Sequence, residues 1–124
     1  SYFTKAEEHR SNGELEEALS YYEKAYNVPP LNRDVVHGYV GGLIYFERYE
    51  DAHRVITDYF NKVNKDLYID DVDLWVDRAV VELQTGRCMD AGTSAWHVLA
   101  RTLEADENNK IAGAIMSKAL NDCN

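Results

Sequence analysis

The sequence predicts an all-α protein, and three observations lead to that prediction. Alternation of apolar and polar residues at every second position, which is typical of strands, is scarce along the 124 residues. Only Pro29 and Pro30 interrupt the chain. An alanine-centred motif also recurs, because LEEALSYY around Ala18 matches YEDAHRVI around Ala52, 34 residues on, and MDAGTSAW around Ala91, a further 39 on. Such an internal repeat predicts three helical hairpins.

The clearest copy of the motif is NGELEEALSYYEKAYNVPP, residues 12–30. Gly13 can adopt the positive φ of a tight turn, as can Gly86 before the third copy. Ala18 lets two helix axes approach, and Pro30 ends the unit. This order and spacing resemble the tetratricopeptide repeat, a family of helical hairpins of about 34 residues. The resemblance implies a right-handed superhelical solenoid of antiparallel hairpins, in which neighbouring units bury each other's apolar faces.

The resemblance divides the chain into one domain of three repeats and a cap. Repeat one, 1–32, has its packing positions at Tyr2, Ala6, His9, Ala18, Tyr22 and Ala25. Repeat two, 33–65, has them at Val36, Tyr39, Val40, Leu43, Ala52 and Ile56. Repeat three, 72–106, has them at Trp75, Ala79, Glu82, Ala91, Ala95 and Val98, with Trp96 also expected in the core. A capping helix over 108–122 is expected to pack through Ile111, Ala114, Ile115 and Leu120.

Two features depart from the family pattern. Glu47 stands where the turn glycine is usual, which predicts a different local turn in repeat two. Gly41 and Gly42 lie inside a predicted helix, where each costs about 0.5–1 kcal/mol relative to Ala. Either neighbouring helices pack closely there, or the backbone of a ligand approaches Gly38 and Gly41.

The balance of charged residues limits the classes of partner that we expect. Asp and Glu outnumber Lys and Arg by 22 to 13, which gives a formal charge of −9. Nucleic acids and anionic membranes are bound largely through Lys and Arg, so neither is an expected partner. No apolar run has transmembrane length, and no signal peptide pattern opens the chain, which favours the cytoplasm. Because the chain starts at Ser1, a processed fragment from a periplasm or an organelle is the alternative.

The first helices of the repeats are expected to line a concave groove. The resemblance assigns ten residues there as the partner-binding set: Phe3, Glu7, His37, Gly38, Gly41, Tyr45, Asp73, Val76, Asp77 and Val80. Arg10, Asp34, Ile44 and Leu83 are predicted to face the same way. Five of these positions correspond to the clamp with which some relatives bind the acidic C-terminal tails of chaperones: Phe3, Glu7, Gly38, Asp73 and Asp77. Three acids and no cation would repel a carboxylate, so the expected partner is instead a basic and apolar protein segment.

Metal binding and catalysis have little support in the sequence. Asp34 with His37, and Glu50 with His53, have the spacing of di-metal carboxylate sites but lack the further inward Glu residues. No catalytic residue and no cofactor are therefore predicted. The two cysteines, Cys88 and Cys123, are expected to be ordinary thiols, or a disulfide if their Cα atoms come within about 7 Å.

The leading functional hypothesis is a non-catalytic protein-interaction scaffold. One alternative is a structural or self-assembly spacer within a longer repeat protein, associating through its terminal helices. Tyr21 is a candidate contact with a preceding domain or a second copy, because it cannot share the narrow buried stripe of Tyr22. The other alternative is a carbohydrate-binding repeat domain of an envelope export machine, which only the acidic groove favours.

Overall fold

The computed structural model of the chain describes residues 1–123. It contains seven α-helices: α1 Tyr2–Ser11, α2 Leu15–Tyr26, α3 Arg33–Tyr45, α4 Tyr49–Lys62, α5 Val72–Gln84, α6 Cys88–Leu99 and α7 Glu107–Asp122. A short 3₁₀ helix, Lys65–Leu67, precedes α5. No strand occurs in these 123 residues, so the all-α prediction is confirmed.

Helices with and without a side-chain cap alternate along the chain. The odd-numbered helices each begin after a residue whose side-chain oxygen accepts a hydrogen bond from a backbone N–H of the first turn; these residues are Ser1, Asn32, Asp71 and Asp106. The helices α2, α4 and α6 have no such cap. They begin directly out of a tight turn that follows the preceding helix. The chain is therefore built from helix pairs with a capped start and a short internal turn.

The three internal turns have the same geometry. Their central residues all have positive φ: +77° at Gly13, +57° at Glu47 and +80° at Gly86. In each turn the next residue donates its backbone N–H to a carbonyl five residues back, at 2.8–2.9 Å: Glu14 to His9, Arg48 to Leu43 and Arg87 to Glu82. The expectation of a different turn at Glu47 was wrong. The hydrogen bonds that close the turn hold Glu47 in the left-handed conformation that glycine adopts in the other two.

The apolar core forms two clusters. The first joins α1 to α4 with Leu74 and Val81 of α5. The second joins α5, α6 and α7 around Ala79, Ala91 and Ala95. Trp75 packs against both clusters and so connects the two halves of the molecule.

Three expectations about the core were wrong. Tyr2, expected at a packing position of repeat one, is 45% exposed. Trp96 is 63% exposed, because it lies on the outer side of α6 while its neighbour Ala95 is fully buried. In α7, Ala114 and Leu120 are exposed, whereas Ala112, Ile115 and Ala119 are buried. The inner face of α7 is therefore rotated from the predicted one and is made mostly of small residues.

A disulfide joins Cys88, the first residue of α6, to Cys123, the residue that follows α7. The Cα atoms are 5.9 Å apart, within the range that a disulfide spans. Of the two states considered for these cysteines, the structure contains the disulfide and not the separate thiols. The bond fastens the end of α7 to the start of the helix that it covers.

Candidate functional site

The candidate site is an open cavity of about 580 Å³ between α1 and α3, with α2 as its floor. Six of the ten predicted groove residues line it: Phe3, Glu7, His37, Gly38, Gly41 and Tyr45. Arg10 and Asp34 line it as well. We call this cavity the α1–α3 groove. Its wall combines aromatic rings and bare glycine backbone with a few charged groups, a composition suited to binding an organic ligand or a peptide.

The glycines of α3 have two different roles in this groove. A Cβ atom added at Gly38 would lie 2.8 Å from Cζ of Tyr22, and one added at Gly42 would lie 2.9 Å from Cδ1 of Leu19. These two positions therefore let α3 pack closely on α2. Gly41 differs, because no atom lies within 4 Å of a Cβ placed there. Packing explains Gly38 and Gly42, whereas Gly41 leaves the groove open.

A hydrogen-bonded group of three side chains lies at the α1 side of the groove. Glu7 accepts a hydrogen bond from Nη2 of Arg10 at 2.7 Å and another from the hydroxyl of Tyr22. These bonds, from Arg10 first and Tyr22 second, lower the pKa of Glu7. Burial and the Glu7 bond together raise the pKa of Tyr22 to about 12. Glu7 is thus a fixed anion held against the floor of the groove.

On the α3 side, His37 connects the groove to α5. Its Nδ1 lies 2.5 Å from Oδ2 of Asp77, whose carboxylate is buried. This hydrogen bond raises the pKa of His37 and favours the imidazolium form. Asp77 therefore pairs with His37 from the α5 side and does not itself line the groove.

A second polar link joins the start of α3 to α5 and α7. Arg33 donates two hydrogen bonds to Asp71, at 2.9 Å and 2.8 Å, and lies 3.5 Å from Asp73. Asp73 in turn accepts a hydrogen bond from Asn108 at 2.9 Å. Bidentate pairs between Arg and a carboxylate are among the stronger polar contacts in proteins. Asp73, which was predicted to contact a partner, is therefore engaged within the chain.

The structure does not bring the four predicted α5 residues to the α1–α3 groove. Asp73 and Asp77 have the partners just described, Val76 is buried in the second core cluster, and Val80 packs against that cluster. Tyr22, which lines the groove, and Arg33, which links α3 to Asp71 and Asp73, were not predicted as site residues. Nothing in the local sequence identifies them, because their partners lie 15 and 38 residues away.

Two kinds of feature are absent from the part of the chain that the structure describes. Residues 1–123 contain no group of three or more His, Cys, Asp or Glu side chains arranged to hold a metal ion. None of the seven α-helices there is long and apolar enough to cross a membrane.

The chain was also compared with known proteins. No protein-family model matches it, and no curated protein matches it. The site is therefore interpreted from its own geometry.

Proposed function

We propose that this chain is a tetratricopeptide-like scaffold, without chemistry of its own, that binds a segment of a partner protein in the α1–α3 groove. The observation that carries the proposal is the open space at Gly41, in a groove that Phe3 and Tyr45 also line. Three turns of the same geometry, 34 and 39 residues apart, support the assignment to a repeat architecture. Scaffolds of this kind use the faces of stacked helices to bind peptides.

The acidic balance of the whole chain, a formal charge of −9, favours a partner segment that is both basic and apolar. The groove itself is lined by two carboxylates, Glu7 and Asp34, together with Arg10 and His37. Among the residues that line the groove, Glu7 and Asp34 are the carboxylates that an incoming cation would meet. Phe3 and Tyr45 offer rings to an apolar side chain.

The test is a selection of peptides from a random library displayed on phage, followed by affinity measurements. We expect enriched sequences that carry Lys or Arg beside an apolar residue. A selected peptide should bind the Gly41→Leu variant at least about tenfold more weakly, since the new side chain fills the groove. Gly113→Leu is the matched control, because Gly113 lies in α7 and a Cβ atom placed there would also meet no atom within 4 Å.

Two results would contradict the proposal. Equal affinity of the wild type and Gly41→Leu would place the binding surface elsewhere. Enrichment of acidic peptides that depend on Gly41 would retain the groove but overturn the assigned partner chemistry.

Self-assembly is a second candidate function, because one observation favours it. Met89 and Trp96 on α6 are 78% and 63% exposed, and Leu120 on α7 is 65% exposed. The positions that correspond to Met89 and Trp96 in the second helix pair are Glu50 and Thr57. The third pair thus replaces polar surface residues by large apolar ones, as interaction surfaces do.

A further inference from the structure

The seventh helix lies over the third helix pair and shields part of its apolar surface. Ala112 and Ile115 of α7 belong to the second core cluster, together with five residues of α5 and α6: Val76, Ala79, Ala91, Ala95 and Val98. Four of these five are fully buried, and Val76 is 7% exposed. Release of α7 would therefore bring apolar surface of α5 and α6 into contact with water.

The packing between α7 and these helices is made mostly by small side chains. Ala112 and Ala119 are two of the three buried residues of α7. A Cβ atom placed on Gly92 of α6 would lie 3.7 Å from Cβ of Ala119, which is an ordinary contact distance and leaves room for a methyl group. Small side chains bury little apolar area, so this interface alone stabilises the position of α7 only modestly.

Polar contacts add little to this packing. In the described part of the chain, one side-chain hydrogen bond joins α7 to α5 or α6, and it runs from Asn108 to Asp73 at 2.9 Å. The link between α3 and α5 is stronger, since Arg33 alone donates two hydrogen bonds to Asp71. Of the helices that contact α5, α7 is thus held weakly by noncovalent bonds.

The disulfide between Cys88 and Cys123 fixes the far end of α7. It joins the first residue of α6 to the residue that follows α7, across a separation of 35 residues. Such a cross-link strongly restricts the freedom that α7 would gain by leaving its position. Both cysteines are half-buried, so a small thiol in solution can reach the bond.

We propose that this disulfide is a redox-controlled latch: its reduction releases α7 and uncovers α5 and α6, and its reoxidation restores the covered state. In the forward direction a dithiol donates two electrons and two protons through a mixed disulfide. The sulfur–sulfur bond of the chain breaks to give two thiols, and the dithiol becomes a cyclic disulfide. In the reverse direction oxidised glutathione accepts the two electrons and two protons and becomes two molecules of glutathione. The latch does not depend on the function proposed for the α1–α3 groove.

The test compares amide hydrogen exchange in ¹⁵N-labelled protein before and after reduction with dithiothreitol. In the reduced protein the amides of α7 should exchange within about tenfold of the rates of an unfolded chain, because the weak interface no longer has a cross-link. The amides of α3 should stay protected by at least about a hundredfold. Oxidised glutathione should return the protection of α7 to its starting value.

A second measurement reports the uncovered surface directly. The dye 8-anilinonaphthalene-1-sulfonate fluoresces when it binds exposed apolar surface, so its fluorescence should rise on reduction and fall on reoxidation. The chain that carries both Cys88→Ser and Cys123→Ser is the control. It should bind the dye without any reductant, and dithiothreitol should change neither its fluorescence nor its amide exchange.

A glycine variant locates the release at the contact between α6 and α7. In Gly92→Ala the added methyl group would lie 3.7 Å from Ala119 and 3.9 Å from Met116, both on α7. It should raise the protection of α7 in the reduced chain about fourfold, as expected for one more buried methyl group. Gly41→Ala is the matched control, because it makes the same change in α3, where no atom lies within 4 Å, and should leave α7 unchanged.

Several results would overturn the proposal. Protection of α7 that survives reduction would show that packing holds this helix without the bond. Loss of protection in α3 together with α7 would show that the disulfide stabilises the whole fold and controls no single helix. Failure of α7 to regain protection on reoxidation would rule out a reversible latch. Equal effects of Gly92→Ala and Gly41→Ala would mean that reduction does not open the contact between α6 and α7.

Discussion

Gly38 and Gly41 lie one turn apart in α3 and meet different surroundings. An added Cβ would clash with the Tyr22 ring at Gly38 and meet nothing within 4 Å at Gly41. We expect Gly41→Ala to raise the free energy of unfolding by about 0.5–1 kcal/mol through backbone entropy. Gly38→Ala should lower it by about 1–3 kcal/mol, because Tyr22 must move. Urea unfolding followed by circular dichroism measures both, and changes of the same sign would contradict this account of the two positions.

Glu47 is a non-glycine residue with a φ of +57°. The left-handed conformation costs an L-residue about 1–2 kcal/mol, part of which glycine would lose again to its greater freedom in the unfolded chain. We therefore expect Glu47→Gly to raise the free energy of unfolding by about 0.5–1 kcal/mol. Glu47→Ala keeps the strain and serves as the control. A gain in the alanine variant equal to that in the glycine variant would show that removal of the carboxylate, and not relief of strain, is responsible.

His37 gives the stability a defined pH dependence. Because its hydrogen bond to Asp77 raises its pKa in the folded state, the imidazolium stabilises the fold below the unfolded pKa of about 6.5. That contribution is lost as the pH rises through the raised folded pKa. We expect the difference in unfolding free energy between the wild type and His37→Gln to be larger at pH 5.5 than at pH 9. A difference that does not change with pH would mean that His37 has the same pKa in the folded and the unfolded chain.

Single residues could be predicted from the sequence where their own chemistry dictates the conformation. Gly13 and Gly86 were expected to adopt positive φ, and both do. The same conformation at Glu47 was not predicted, because only the hydrogen bonds of the folded turn impose it on this residue. The burial of Asp77 was also missed, since it depends on His37, which is 40 residues away on another helix.

At the scale of elements, α7 is held in place by contacts at its two ends. Asn109 donates hydrogen bonds to Thr102 near the start of α7, and the Cys88–Cys123 disulfide holds the far end. Between these points the buried residues of α7 are Ala112, Ile115 and Ala119, which supply little apolar area. The covalent bond therefore makes a large contribution to keeping α7 in place.

We expect loss of this disulfide to destabilise the chain and to loosen α7 first. The bond closes a loop across a separation of 35 residues, for which chain entropy gives about 3–4 kcal/mol. Cys123→Ser should lower the free energy of unfolding by about that amount and speed amide hydrogen exchange in α7 more than in α3. Cys88→Ser is the matched control and should behave alike. Uniform exchange along the chain would show that α7 is held by packing alone.

The helix pairs could be predicted from the sequence, but the contact face of α7 could not. Ala18, Ala52 and Ala91 repeat at sites where helices cross, and all three are buried. The residues of α7 follow no such repeat, and apolar residues occur on more than one of its faces. Leu120 was expected on the inner face of α7, whereas the structure places Ala119 there, with its Cβ 3.7 Å from where a Cβ of Gly92 would lie.

At the scale of the whole molecule, the net charge could be predicted from the sequence, but the carboxylates that pair inside the molecule could not. The formal charge of −9 correctly describes the chain, yet Asp71, Asp73 and Asp77 are bound by Arg33, Asn108 and His37. Asp73 and Asp77, two of the carboxylates that were expected to attract a partner, take part in contacts that connect α3, α5 and α7. Sequence alone could not show this, because such pairs form only when separate helices come together.

The outer surface of the third helix pair can be compared with that of the first two pairs, position by position. Positions that are polar in the first two helix pairs become Met89 and Trp96 in the third, and Leu120 of α7 is likewise exposed. Exposed apolar side chains of this size favour association because contact with another copy removes them from water. We therefore expect the wild type to self-associate weakly as its concentration rises, in sedimentation velocity measurements.

A variant that restores the residues of the second helix pair, Met89→Glu with Trp96→Thr, should remain monomeric at every concentration tested. Because both side chains are exposed, its circular dichroism and unfolding midpoint should match the wild type, so a loss of association could not be attributed to unfolding. Gly41→Leu is the second comparison, since it fills the α1–α3 groove without touching α6 and should associate as the wild type does. Association that persists in the surface variant but disappears in Gly41→Leu would instead mean that the groove itself binds a second copy.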